Sequence, residues 1–503
     1  MLGIIRVFAR KMEYGSMASV PQTQAYSEKE LRMSVFKAMC FVALLKLTSG
    51  IAMLAFVPIA ASVASSPRRK VAAIFSTLLL CTTTTIMGGA VFVHSATYAI
   101  ATKAIFLVFS VILTMKAAGR RWPPAMKPVS VLMLYLAFQA AASMFGWAPV
   151  ISELKILLMV MFVMAGANAC TLGASGGVDA GKIRTIMLTV CCVMMIGSIL
   201  VYPFPSISRA MTIAGLSEWS DQSESELIEI ALAMEQSLYN GIAGHSQTLG
   251  PMCAVLNAFL FADYVFNVRK VSRLYMVLML CSAGLIYMTG SRTAMAAYAF
   301  SILVCAHFAN GARRVPNRKK QWLASVVLSI GILGTMAVAV VPSVRERAVG
   351  FLMKRGETGE LDMAAVLSSR QGLIDRSMFF FRQSPLIGNG FQVMWTMKGR
   401  KINGIKSVLS APIEKGFLPS MMLEEGGLVG GAIFLAFLLS MMAACKKYRY
   451  YCFLTCFLTF VITNMGEATF FSMSGMGGFG WSVCFAAFLL DADRAMRESA
   501  PAL

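Results

Sequence analysis

Arginines set beside apolar sequence are the residues of this chain with the clearest chemical use. Arg292 stands in Gly290-Ser291-Arg292-Thr293-Ala294, which joins two short apolar runs, with Ser291 placed to cap the second helix. A cation at a helix N-terminus opposes the macrodipole, and short outer junctions tend to lack Arg, so two rules are broken at one residue. A bound anion would repair both, because free N–H groups, dipole and guanidinium would converge on it; a snorkelling interfacial Arg is the plainer reading. Arg370 and Arg376 lie in Ser368–Gly390, the stretch around which the rest is arranged. It reads as one amphipathic helix on which Arg370 shares a face with Leu373, Ile374, Ser377 and Phe381, while Arg376 and Arg382 point elsewhere. Arg370 is therefore expected to face protein. Pro385 stops the helix, and Gly388 and Gly390 permit a tight turn with close backbone approach. An ordinary surface helix would have the same composition.

The proton acceptors near these arginines are few. His245, in Gly244-His245-Ser246-Gln247, opens an apolar pass and has the most suitable ordinary pKa, although a lone interfacial His is more often a structural hydrogen-bonder. Glu414, Lys415, Glu424 and Glu425 mark a polar loop's return into apolar sequence, followed by Gly426, Gly427, Gly430 and Gly431. The acids either pair with loop arginines or serve as a base, and the small residues permit close helix packing.

These residues sit in a setting that composition defines. With 503 residues, 57% of them hydrophobic and 14% charged, and a mean hydropathy of +0.69, the chain reads as all-α, a polytopic transmembrane helical bundle with a large, partly helical periplasmic loop. Apolar passes run over 36–64, 71–94, 97–115, 128–146, 152–172, 183–204, 247–267, 274–290, 292–309, 321–342, 419–444, 450–466 and 476–490, so about 12–14 crossings are expected by the hydropathy criterion. A net charge of +21 would suggest nucleic acid in a soluble protein, but here Lys and Arg cluster in short loops at 68–70, 116–127, 269–273, 313–320 and 446–449. They fall at alternate gaps, which is the record of cytoplasmic loops and gives no sign of a nucleic-acid partner. The twelve Cys lie almost wholly in apolar runs without C-x-x-C, and the three His are scattered, so neither a metal nor a disulfide framework is expected.

The domain reading follows. Residues 1–35 form a cytoplasmic N-terminal tail without a cleavable signal, 36–490 the transmembrane domain, and 491–503 a cytoplasmic C-terminal tail. Strict alternation would place the N-terminus outside, so one early apolar stretch is re-entrant, interfacial or split. Two long loops, 206–246 and 343–418, face outward. The first is acidic (Glu218, Asp221, Glu224, Glu226, Glu229, Glu235) and carries an apolar stripe suited to a short helix on the membrane. The second is rich in Arg and Lys, a cationic chamber suited to an anionic lipid headgroup or a lipid diphosphate. The D-x-D at Asp491–Asp493 lies at the cytoplasmic end of the last pass, and no Walker or G-x-G-x-x-G element precedes a helix, so nucleotide-sugar and ATP chemistry are disfavoured.

Four motifs in order, G-x-x-G-H-S-Q, T-G-S-R-T-A, S-R followed by a helix and S-P-L-I-G-N-G-F, and L-E-E-G-G-L-V-G-G, make residues 241–490 resemble the bacterial O-antigen ligase and polymerase superfamily. The resemblance implies a metal-independent and cofactor-free glycosyltransferase at the outer face of the bacterial inner membrane, with undecaprenyl-diphosphate-linked donor and acceptor. It implies Arg292 and Arg370 as diphosphate ligands; Arg376 is a further candidate ligand, with Ser291, Glu425, Gly388 and Gly390 as candidate supporting residues. Ligases carry His-Asn where this chain reads Ala411-Pro412-Ile413-Glu414-Lys415-Gly416, which leaves Glu414 as the substitute base and His245 as acceptor-binding. The expectation is a polysaccharide polymerase, with a flippase and a chain-length regulator as possible partners. A ligase acting on lipid A core or another acceptor is the alternative. A transporter or flippase is a third reading, but no internal repeat is evident.

Overall fold

The computed structural model describes residues 28–47, 107–108, 110–117, 120–146, 149–174, 179–204, 239–243, 246–267, 273–311, 329, 341–342, 363–392, 416–466, 468–472 and 475–499. Among the described residues every regular element is helical. In chain order these are α1 (Glu28–Leu47), α2 (Val129–Ser143), α3 (Pro149–Leu172), α4 (Ala180–Cys191), α5 (Gly197–Val201), α6 (Ser246–Ala262), α7 (Arg273–Thr289), α8 (Arg292–Gly311), α9 (Met363–Gln383), α10 (Leu418–Tyr448), α11 (Tyr451–Thr463) and α12 (Gly475–Ser499). A π-helical turn, Cys192–Ile196, joins α4 to α5, and another, Asp263–Asn267, extends α6.

Among the described residues, seven helical stretches are long and apolar enough to cross a membrane, and α7 and α11 are shorter apolar helices. The chain is a multi-pass membrane protein. For the described helices from α2 onward, bounds follow the hydropathy reading closely except at the end of α12, because a run that must satisfy its backbone inside hydrocarbon has no alternative to helix; the passes expected at 71–94 and 321–342 lie wholly or almost wholly outside the described residues. α1 begins at Glu28, inside the stretch read as an N-terminal tail, and α12 continues to Ser499, past the expected boundary at 490.

α6 is buried from Leu249 to its end and forms the axis, packed by α7, α8, α11 and α12. A helix apolar all round belongs in such a position. Beside it, rings from α10, α11 and α12 interlock: Phe437 lies 5.9 Å from Phe457, and Phe460 lies 6.0 Å from Trp481, centroid to centroid. The Trp481 indole N–H donates to the Phe470 carbonyl at 3.0 Å, so burial of this large ring leaves no polar atom unpaired.

The basic loops at 68–70, 269–272 and 313–320 lie outside the described residues. Among the described residues the helices alternate in direction, and Arg184, Arg273, Lys446, Lys447 and Arg449 lie at one end. There Arg184 grips Asp263 through two bonds of 2.8 and 3.0 Å, and the Tyr275 hydroxyl donates to the same carboxylate at 2.6 Å. Asp491 accepts from the Phe453 N–H at 2.9 Å, supplying from α12 the cap that α11 lacks, and pairs with Arg494 at 3.1 Å. Arg494 also donates to the Arg449 carbonyl and lies over the Phe266 ring. Asp493 pairs with Arg497. The D-x-D is thus engaged in capping and ion pairing. Lys446, Lys447 and Arg449 complete the cationic rim at the end of α10.

Candidate functional site

At the opposite end, the two glycine-bearing motifs of the sequence meet. α9 stops at Gln383, and Ser384–Phe391 folds against a break in α10 at Gly427, whose φ of 60° and ψ of −161° lie outside the helical region. A break strands carbonyls on one side and N–H groups on the other. The loop satisfies both sets. Asn389 N–H donates to the Glu424 carbonyl at 2.9 Å and Gly390 N–H to that of Glu425 at 3.4 Å, while Leu428 and Val429 N–H donate to Pro385 and Leu386 carbonyls at 2.8 and 3.2 Å. The approach demands glycine on each side: a Cβ on Gly388 (φ +75°) would stand 2.2 Å from the Glu425 carbonyl oxygen, and one on Gly427 2.4 Å from that of Leu386.

Side chains close the clip. Asn389 Nδ2 donates to the Phe380 carbonyl at 2.7 Å, completing the last turn of α9, and reaches the Glu424 carbonyl at 3.3 Å. Ser377 Oγ donates to the Glu424 carboxylate at 2.7 Å. From below, Ser143 Oγ accepts from Phe391 N–H at 3.1 Å, Ser152 Oγ donates to the Phe391 carbonyl at 3.1 Å, and the buried Lys155 ammonium donates to the Gln392 carbonyl at 3.0 Å. Glu425 is wholly buried near Tyr135 of α2, Gln139 of α2 lies against the adjoining Gly426, and Gln139 Nε2 donates to the Tyr135 hydroxyl at 2.8 Å.

The buried face of α9 is centred on Ser377 and Phe380, with Leu373, Ile374 and Phe381 half-buried. That is close to the face expected from periodicity, although Phe380 was not placed on it. Arg376, expected to point elsewhere, is half-buried beside Ser377, because the clip draws the last turns of α9 onto α10. Arg382 is exposed, as expected. The Arg370 backbone belongs to α9 two turns before Ser377, while its side chain lies outside the described residues. Glu414, His245 and the acidic loop also lie outside them.

The Gly290–Ala294 junction is at the same end. Ser291 caps α8 as expected, its Oγ accepting from Ala294 N–H at 3.4 Å, and Arg292 is half-buried at the first turn. Thr293 packs on Gly466, and the neighbouring Asn464 carbonyl accepts from Leu418 N–H at 3.3 Å, which ties the junction to the start of α10. Tyr239 N–H donates to the Met288 carbonyl at 3.2 Å, bringing the chain just ahead of the G-H-S-Q motif to this end as well. The structure therefore gathers the described parts of all four motifs at one end of the bundle.

Asn389, Gln139, Tyr135 and Lys155 were not singled out from sequence. Lys155 had a readable signal, an ammonium within an apolar pass, which is costly unless partnered. The others look like ordinary polar residues until the loop that uses them is in place. No protein-family model matches the chain, and no curated protein matches it. By its own groups the site offers guanidinium donors suited to a phosphate and carboxylates able to orient them or to accept a proton.

Proposed function

We propose that the chain is a membrane glycosyltransferase, a polysaccharide polymerase that transfers a polyprenyl-diphosphate-linked glycan onto another lipid-linked repeat unit. The observation that supports it best is the clip: Ser384–Phe391 and Leu423–Gly431 are stitched together by four backbone hydrogen bonds, at the end of the bundle that also holds Arg292. Basic loops favour the cytoplasm, so the motif end is assigned to the outer face of a bacterial inner membrane. In this reading Arg292, Arg370 and Arg376 hold the diphosphate. An acceptor hydroxyl attacks the anomeric carbon, the bond from that carbon to the diphosphate oxygen breaks with inversion, and undecaprenyl diphosphate leaves. The hydroxyl proton passes to a base, for which Glu414 is assigned, with His245 binding the acceptor. Guanidinium groups neutralise the charge that develops on the leaving group. Glu424, held by Ser377, fixes the helix that carries two of the three arginines.

A deletion strain tests the activity. Its surface glycan is expected to collapse from a ladder of repeat units to single repeats on core. Loss of every repeat from core would instead identify a ligase, and an unchanged ladder would reject both.

A further inference from the structure

The tip of the clip is apolar and uncovered. Leu386 is 63% exposed and Ile387 38%, although they sit in a segment whose neighbours are polar and cationic. Solvated loop tips carry turn formers and polar groups, and contiguous exposed apolar surface marks a contact. Its surroundings identify the contact. Leu386 accepts from Val429 N–H, so the tip lies beside Leu428 and Val429, themselves 54% and 42% exposed. From there an unbroken exposed stripe descends α10 through Leu435 and Leu439, at helical spacing and without a polar residue, as expected for a surface facing lipid.

Length sets the depth. From Leu428 to Lys446, where the cationic rim begins, α10 rises about 27 Å at about 1.5 Å per residue. That nearly equals the ~30 Å hydrocarbon core of a bilayer. The portion of α10 beyond the break, Leu428 onward, is therefore the spanning portion, and Leu418–Gly426 stands above it at the motif end. The tip then falls at the boundary between hydrocarbon and headgroups.

We infer that Pro385–Ile387 is a membrane wedge, a surface that binds the acyl region of the bilayer leaflet on the motif side. Its attachment through Gly388 and Asn389 fixes Ser377, Arg376 and Glu424 at headgroup depth. The consequence for catalysis rests on the polymerase reading, since a lipid-borne diphosphate lies at that depth; the wedge itself does not.

An environment-sensitive fluorophore on Leu386→Cys tests it, in protein freed of its accessible cysteines and reconstituted in phosphatidylglycerol–phosphatidylethanolamine nanodiscs. The reference is the same fluorophore on Arg382→Cys, an exposed site one turn earlier. The expected result is strong quenching at 386 by lipids spin-labelled near the headgroup and little by aqueous iodide, with the opposite order at 382. Iodide quenching at 386 equal to that at 382 would place the tip in water, and quenching by neither agent would place it under protein. Either result overturns the wedge and leaves the polymerase reading standing, because the readout needs no glycan.

Discussion

Arg292 and Arg376 are half-buried at the motif end, and Arg370 belongs to the helix that the clip anchors. Replacing Arg292 or Arg370 with Lys keeps the charge and loses the planar fork, so polymerisation is expected to fall strongly, and further with Ala. Loss of one transition-state contact costs about 10²–10³ in rate. Initial rates on lipid-linked repeat units check this, with binding of a diphosphate analogue measured in parallel. Glu414→Gln keeps shape and removes basicity, so turnover is expected to drop with donor binding intact. Glu424→Gln keeps an oxygen able to accept from Ser377 and is expected to be milder. Native turnover in Glu414→Gln, with loss confined to His245→Ala, would move the base to His245. At this scale the sequence showed which residues break rules, such as Arg292 at a helix start. It hid Asn389, because an amide becomes informative only when the backbone it serves is known.

The break in α10 and the loop that fills it form one element, since each satisfies the other's stranded backbone groups. Gly427→Ala forces a Cβ toward the Leu386 carbonyl and a side chain into a region of φ and ψ that favours glycine. Strained backbone of that kind costs about 1–3 kcal/mol before the clash is counted. The expected outcome is a lower melting temperature in detergent and a proteolytic site opened between 384 and 392. Asn389→Ala removes two side-chain bonds, a loss of about 1 kcal/mol each. It is expected to lower activity more than stability. The stop at Pro385, the glycine-dependent turn and the cap at Ser291 were legible, because each follows from the residue's own chemistry. That the turn docks on Gly426-Gly427 was not, because sequence spacing does not say which backbone a glycine admits.

Among the described residues, the ion pairs of Asp263 and Asp491 lie at one end and the motifs at the other. Arg184, bonded twice to buried Asp263, belongs to the basic end, far from the clip. Arg184→Ala leaves that carboxylate without its ion-pair partner, for which about 3–5 kcal/mol is typical. Thermal unfolding in detergent is expected to shift down markedly, while turnover measured below the transition stays near native. The membrane class and the bounds of the described helices from α2 onward were legible because a bilayer imposes length rules on every pass. Which residues touch was not legible, since packing of α6, α8 and α11 is decided by side-chain shape. The proposed activity places the joining of lipid-linked glycans at the motif end. Purified protein in nanodiscs, given lipid-linked repeat units, measures this directly when run beside an Arg370→Ala variant of equal melting temperature. A ladder of products from the native protein, reduced about 10²-fold or more in the variant, is the expected result. No product from well-folded native protein, or the same ladder from both, would contradict it.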